Sequence, residues 1–208
     1  MTGLVGDADP DNEGLPMGDE NDRMLVATAD SIDLAAAGHV HAVKDQGRCG
    51  SCWAFSANTA LEGAIAIANN TAPVHLSEQQ LVDCTNRSAR KVVGKDYGNY
   101  GCSGGWMDNA WDFQRDKGAM LESDYPYTSG SSGSTGRCRH DKSKVVGNVS
   151  SYGAVTTVNI MKAKLSTHPL TIAIDASSNA FRYYKSGVIQ ESECTTGLNH
   201  AVVVVGYS

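Results

Sequence analysis

No run of apolar residues in this 208-residue chain approaches the roughly 18 that a membrane span requires. Lys and Arg form no basic patch, and no basic amphipathic stretch occurs. Neither nucleic acid nor a membrane is therefore an expected partner. Internal repeats are missing. The opening MTGLVGDADPDNEG has none of the basic, apolar and small-residue regions of a secretory signal. Yet six cysteines favour an oxidising compartment, so upstream sequence is expected before Met1. A second C-x-x-C is also missing. Cys84 and Cys102 stand apart from Cys49-x-x-Cys52 and from each other, which tells against a zinc site. A thioredoxin-like redox site needs its C-x-x-C at the end of a strand in a βαβ pattern, and only a weak strand, His39–Val43, precedes it here. No metal and no cofactor is implied.

What is present is ordinary globular composition, with 41% hydrophobic and 19% charged residues, enough for a real core in one domain or two small lobes. The net charge of −6 is unevenly spread. Residues 1–30 carry eight acids against Arg23 alone, so the remainder is near neutral. That acidic, aperiodic stretch reads as disordered or as a processed pro-segment. Residues 51–68 predict a buried helix, with Gly63 its only weak helix former. Ser77–Cys84 predicts a short helix with Ser77 and Gln80 at capping-box spacing. Residues 85–105 read as loop, 106–117 as helix ending before Gly118, and 129–136 (SGSSGSTG) as a flexible loop. Val145–Val149, Tyr152–Val158, Pro169–Asp175 and Ala201–Tyr207 have strand composition. Helices that precede strands define an α+β class. Three N-x-S/T sequons fall at Asn69, Asn86 and Asn148.

The chemistry concentrates in VKDQGRCGSCWAFS, Val43 to Ser56. Cys52 opens a predicted helix, where unpaired N–H groups and the helix dipole favour a thiolate. A thiolate nucleophile needs an imidazole to pair with it and later to protonate the leaving amine. His200, at the head of the apolar run Ala201–Val205, is the candidate. A satisfied strand histidine is the plainer reading of that position. Lys44 and Arg48 are expected to be solvated charges, and Asn199 has no derivable role.

CGSCW at 49–53, LSEQQLVDC at 76–84, GCSGG at 101–105, ESDYPY at 122–127, FRYYKSGVI at 181–189 and LNHAVVVVGY at 198–207 stand in register. With QGRCGSCWAFS at 46–56, they resemble the papain family of cysteine proteases, closer to cathepsin L than to cathepsin B. The resemblance implies a two-lobe α+β fold over residues 31–208. Its left lobe would be helical (about 42–145), and its right lobe β-barrel-like and incomplete (about 146–208 with 31–41). It implies Cys52 as nucleophile, His200 as general acid/base and Gln46 as oxyanion donor together with the Cys52 N–H. Gly104 and Gly105 would present bare backbone to an extended substrate. Trp106, Met107, Ala173, Leu198 and Ala201 would line a pocket for a hydrophobic P2 side chain; for Trp106 and Met107 plain core packing is the alternative. Cys49 would pair with Cys102 and Cys84 with Cys138, leaving Cys194 over. No insertion like the occluding loop of cathepsin B lies between Cys102 and Trp106, which favours endopeptidase action. The implied partners are peptide or protein substrates, the chain's own pro-segment and cystatin-like inhibitors. The implied form is a monomer, lysosomal, vacuolar or secreted. Two departures stand out. Leu34, Ala35 and Ala42 replace residues usual in the family's entry strand. No N-S-W-G motif follows His200, so the orienting Asn and the pocket floor are out of view. The reading is thus of a C-terminally truncated, weakly active chain, and an inactive papain-fold pseudoenzyme or fragment is the alternative.

Overall fold

The structure, a computed structural model, describes residues 29–208, so the reading of residues 1–28 as disordered or pro-segment lies outside the described residues. The chain enters at strand β1 (Ile32–Asp33) and reaches its longest helix, α1 (Cys52–Asn69). Ala, Ile and Leu give α1 its helical propensity and its buried positions Ala54, Ala57, Ala60 and Ala66. Gly63 weakens the helix locally, but a Cβ there would collide with the Pro169 ring. The glycine is what allows that close approach. Asn70, in the left-handed region at φ 51°, ends the helix and donates its N–H to the carbonyls of Ala66 and Ile67.

Helix α2 (Glu78–Cys84) begins as the sequence predicts, with Ser77 Oγ accepting from Gln80 N at 2.9 Å. The reciprocal half of the capping box does not form. Gln80 instead donates to Gly118 O (3.1 Å) and accepts from Met120 N (2.9 Å), and the Ser77 N–H goes to Met120 O. The side chain that would have closed the cap ties α2 to the next strand. The region 85–105 is not simply loop. A 3₁₀ turn (Arg87–Ala89), capped by Asn86 Oδ1, leads into α3 (Arg90–Val93). Ala89 and Val93 enter the core there, and this burial overrides the polar composition. Helix α4 (Met107–Lys117) stops at Gly118, φ 86°, before β2 (Ala119–Met120).

The run 129–136 also departs from expectation. It holds helix α5 (Ser129–Ser132) and is fastened rather than flexible. Gln79 Oε1 accepts from Thr128 N and Ser129 N, Gln79 Nε2 donates to Ser129 Oγ, and Asp83 Oδ1 accepts from Gly136 N. Strand β3 (Val145–Gly147) pairs with β2. The predicted strand over Tyr152–Val158 is absent. Irregular chain leads instead to helix α6 (Val158–Leu165), whose cap is the Thr157 hydroxyl accepting from Ile160 N. Met161 and Leu165, one turn apart, pack into a core there, and that packing outweighs β-branched composition. His39–Val43 forms no strand.

Strand β4 (Leu170–Ile174), short helix α7 (Asn179–Arg182), β5 (His200–Val204) and β6 (Gly206–Tyr207) complete the chain. β4 and β5 are antiparallel, with Ala173 opposite Ala201 and Ile174 opposite His200, and β6 returns to β1. Among the described residues the sheets are all two-stranded, so the β region is not a closed barrel. Two apolar clusters result. One gathers Trp53, Leu81, Val82, Phe113 and Tyr125; the other gathers Leu34, Leu165 and Leu170 with Val40, Met161 and Tyr207. Helix α1 supplies Trp53 to the first and Ile67 to the second, and Ser56 Oγ fastens α1 to β5 through Val202 O at 2.9 Å.

Candidate active site

Cys52 is the first residue of α1 and is buried, with 2% of its surface exposed. Its sulfur accepts from the backbone N–H of Ala201 at 3.4 Å. His200 is the adjacent residue of β5, so the ladder of β4 and β5 brings the backbone beside His200 to the head of α1. Burial lowers the His200 pKa from the ordinary histidine value. Its Nδ1 is buried and lacks a hydrogen-bond partner. A buried polar atom without a partner is uncommon and calls for an explanation, of which a catalytic role is one. His39 Nδ1 and His41 Nε2 are buried without a hydrogen-bond partner as well, so what distinguishes His200 is its place next to Ala201, whose N–H meets the Cys52 sulfur. His41 stacks on His75 with ring centroids 3.6 Å apart, and His140 pairs with Gln80.

Gln46 lies on the approach to α1. Its Nε2 donates to the Cys49 carbonyl at 2.8 Å, and its own carbonyl accepts from Tyr127 Oη at 2.9 Å. Tyr127 Oη also shares a hydrogen bond with Ser51 Oγ at 2.7 Å. One phenol therefore touches both the Gln46 segment and the residue that caps the Cys52 helix. Behind it, Arg48 N donates to Gly130 O at 2.8 Å, and a Cβ on Gly47 would lie 2.6 Å from that same oxygen. Gly47 and Gly130 let two backbones touch, so the fastened α5 loop backs the Gln46 segment. Tyr127 has no role in the sequence reading beyond its place in the ESDYPY block, and the 129–136 run reads there only as a flexible loop.

Gly105 has a packing reason of its own. A Cβ there would meet Asn99 Oδ1 and lie 2.8 Å from Trp53 Cε2. Gly104, at φ 118°, gives its carbonyl to Tyr100 N. Trp106 and Met107 follow, with Trp106 N bonded to Asn99 Oδ1 at 2.7 Å. Trp106, Met107 and Leu198 line a largely apolar cavity of about 880 Å³ between α1, α4 and β4. Ala173 and Ala201 do not line it; they face each other across the ladder, and Ala201 is buried with its N–H on the Cys52 sulfur. Disulfides join Cys49 to Cys102 and Cys84 to Cys138, the first bracing the Cys52 loop against the Gly104 loop. The Cys194 thiol is exposed.

Lys44 is not a solvated charge. It bonds Glu62 at 2.8 Å and Glu78 at 2.7 Å, both carboxylates being nearly buried. Burial opposes its charge, but the two carboxylates prevail and raise its pKa. Burial pushes Glu78 up to about 7, against the pull of Lys44. The two shifts point opposite ways, the first favouring a full ion pair and the second a protonated acid. They are reconciled by stoichiometry: one ammonium balances one carboxylate, and the second carboxylate keeps its proton most readily at Glu78. Glu62 Oε1 also accepts from Leu76 N, which binds α1 to the entry of α2. Asn199 acquires a role as well. Its Oδ1 accepts from Ala176 N and its Nδ2 donates to Asp175, which fixes the end of β4 beside His200.

A buried thiol at a helix start, bonded by the residue next to a strand histidine, thus sits on a mixed helix-and-sheet fold. The model of the papain family of cysteine proteases matches residues 28–208, and the chain belongs to that family. It is 40% identical over 185 residues to the cathepsin L-like proteinase of Fasciola hepatica, covering 87% of this chain and 52% of that protein. It is 39% identical over 212 residues to digestive cysteine proteinase 3 of Homarus americanus, covering 94% and 60%. Among solved structures, digestive procathepsin L 3 from the larval midgut of Tenebrio molitor aligns with TM-score 0.74 at 36% identity, over 88% of this chain and 56% of that one. A recombinant stem bromelain precursor aligns with TM-score 0.76 at 33% identity, over 99% and 60%. The chain spans about half the length of the curated relatives it matches.

Proposed function

We propose that this chain carries the nucleophile and base of a cysteine-type endopeptidase. The observation that supports this most is the Ala201 N–H on the Cys52 sulfur, next to His200. The Cys52 thiolate attacks the scissile carbonyl, and the new C–S bond pushes the carbonyl electrons onto oxygen. Gln46 Nε2 and the Cys52 N–H stabilise that oxyanion. The C–N bond then breaks, and the imidazolium of His200 gives its proton to the leaving amine, leaving a thioester. Water, deprotonated by His200, releases the acid and restores the thiol. Gly104 and Gly105 offer backbone to an extended peptide as an added strand; no hydrogen bond among the described residues engages Gly105. A bulky apolar P2 side chain suits a cavity lined by Trp106, Met107 and Leu198. In this reading residues 1–30 belong to a pro-segment removed on activation, and the enzyme works in a lysosomal, vacuolar or secreted setting, where disulfides persist.

The test is hydrolysis of fluorogenic peptides that differ only at P2. Higher kcat/KM for Leu or Phe than for Arg, lost in Cys52→Ser, is the expected outcome. A preference for a charged P2, or turnover that survives Cys52→Ser, contradicts the reading. An inactive papain-fold protein would show no turnover in a complete, processed form whose fold is intact.

A further inference from the structure

We propose that Asn69 is the N-glycan attachment site of this protein and that its other two sequons are closed by the fold. The three share the sequence N-x-S/T and differ in what the amide nitrogen already does. Asn86 is 9% exposed and fully committed. Its Nδ2 donates to Val82 O at 3.1 Å and Asp83 O at 3.0 Å, so both N–H groups are used, and its Oδ1 caps the following turn through Ser88 N. A sugar on that nitrogen would break a buried hydrogen bond and fill packed space. Asn148 is exposed, but its nitrogen faces inward. Nδ2 lies 3.2 Å from Gln114 O and 3.5 Å from Arg115 O at the end of α4, and a Cβ on Gly118 would stand 3.2 Å away from it. Helix carbonyls and the α4–β2 turn occupy the volume a sugar needs.

Asn69 is different. Asn69, Asn70 and Thr71 are all exposed. Among the described residues the Asn69 nitrogen has one partner, Ile65 O at 3.0 Å, which leaves its second N–H for substitution. Asn70, in the left-handed conformation, makes the sequon an exposed turn with Thr71 N bonded to Ala66 O. The modification forms a bond from Nδ2 to the anomeric carbon of a polyprenyl-pyrophosphate-linked oligosaccharide. The sugar–pyrophosphate C–O bond breaks, the lipid pyrophosphate leaves, and the Nδ2 proton passes to the transferase. Asn69 and Cys52 are opposite ends of α1; at 1.5 Å per residue they are about 25 Å apart. A glycan at Asn69 therefore leaves the cleft open. Two disulfides fit passage through the compartment where such transfer happens.

The test expresses the full chain behind a secretion leader in eukaryotic cells and isolates the disulfide-bonded product. Peptide N-glycanase digestion in heavy-oxygen water, followed by peptide mapping, then locates the converted asparagines. Label at Asn69, with Asn86 and Asn148 unconverted, is the expected result. Thr71→Ala should abolish the label without changing the melting temperature. Unconverted Asn69 in the oxidised product, or label at Asn86 or Asn148, overturns the proposal.

Discussion

Cys52 and His200 stood out in the sequence by residue type and position, and Gln46 through the family resemblance, because each lies in a short marked block. Lys44 was not, because its meaning lies in Glu62 and Glu78, which are 18 and 34 residues further along and carry no local mark. Tyr127 was missed for the same reason: its hydroxyl meets Gln46, 81 residues away. Replacing Gln46 by Ala should lower kcat by roughly 10²-fold, as losses of single oxyanion donors do, with little change in KM; a change confined to KM in steady-state assays would contradict the role. Tyr127→Phe removes two hydrogen bonds but no apolar bulk. It should cost about 1 kcal/mol of stability per lost bond and lower kcat more than it raises KM, because it loosens the Gln46 backbone. Denaturant titration with steady-state kinetics tests both halves, and an unchanged kcat would limit Tyr127 to folding.

At the scale of elements, helices were easier to read than strands. The boundaries of α1, α2 and α4 come from caps and glycines that act locally. Helix α6 was hidden by Val and Ile, residues of strand composition, and only the Thr157 cap and the Met161–Leu165 spacing marked it. Gly63 read as a flaw in α1 until the Pro169 ring explained it. Gly63→Val should destabilise by about 1–3 kcal/mol through overpacking against that ring, while the usual gain from replacing a helix glycine fails to appear. A neutral or stabilising change in urea denaturation would contradict the contact. Glu78 gives a pH test. Its folded pKa of about 7 lies above the ordinary glutamate value near 4.3, so the folded state holds this proton more tightly. Its contribution is most favourable below the unfolded value and is lost as pH rises through about 7. The melting temperature of the wild type relative to Glu78→Gln should therefore rise between pH 8 and pH 5. A flat or falling difference would show that Glu78 is ionised throughout.

For the whole molecule, the α+β class was legible, and the β region, expected to be barrel-like and incomplete, forms no closed barrel among the described residues. Short strands say little about which edges meet, since pairing partners are remote: β1 finds β6 across nearly the full described chain. The two disulfides span 53 and 54 residues, long loops whose closure restrains the unfolded chain. Removing either should cost about 2–5 kcal/mol, and reduction should lower the melting temperature. Loss of Cys49–Cys102, which braces the Cys52 loop, should also reduce activity more than loss of Cys84–Cys138.

The most direct measurement is the rate at which iodoacetamide alkylates Cys52 at pH 5–6, in the processed protein and in His200→Ala, against a small model thiol. Faster labelling than the model thiol, falling to its level or below in His200→Ala, is the result that a thiolate held beside an imidazole requires. Labelling no faster than the model thiol and indifferent to His200 would mean that the two residues are neighbours in the fold and nothing more.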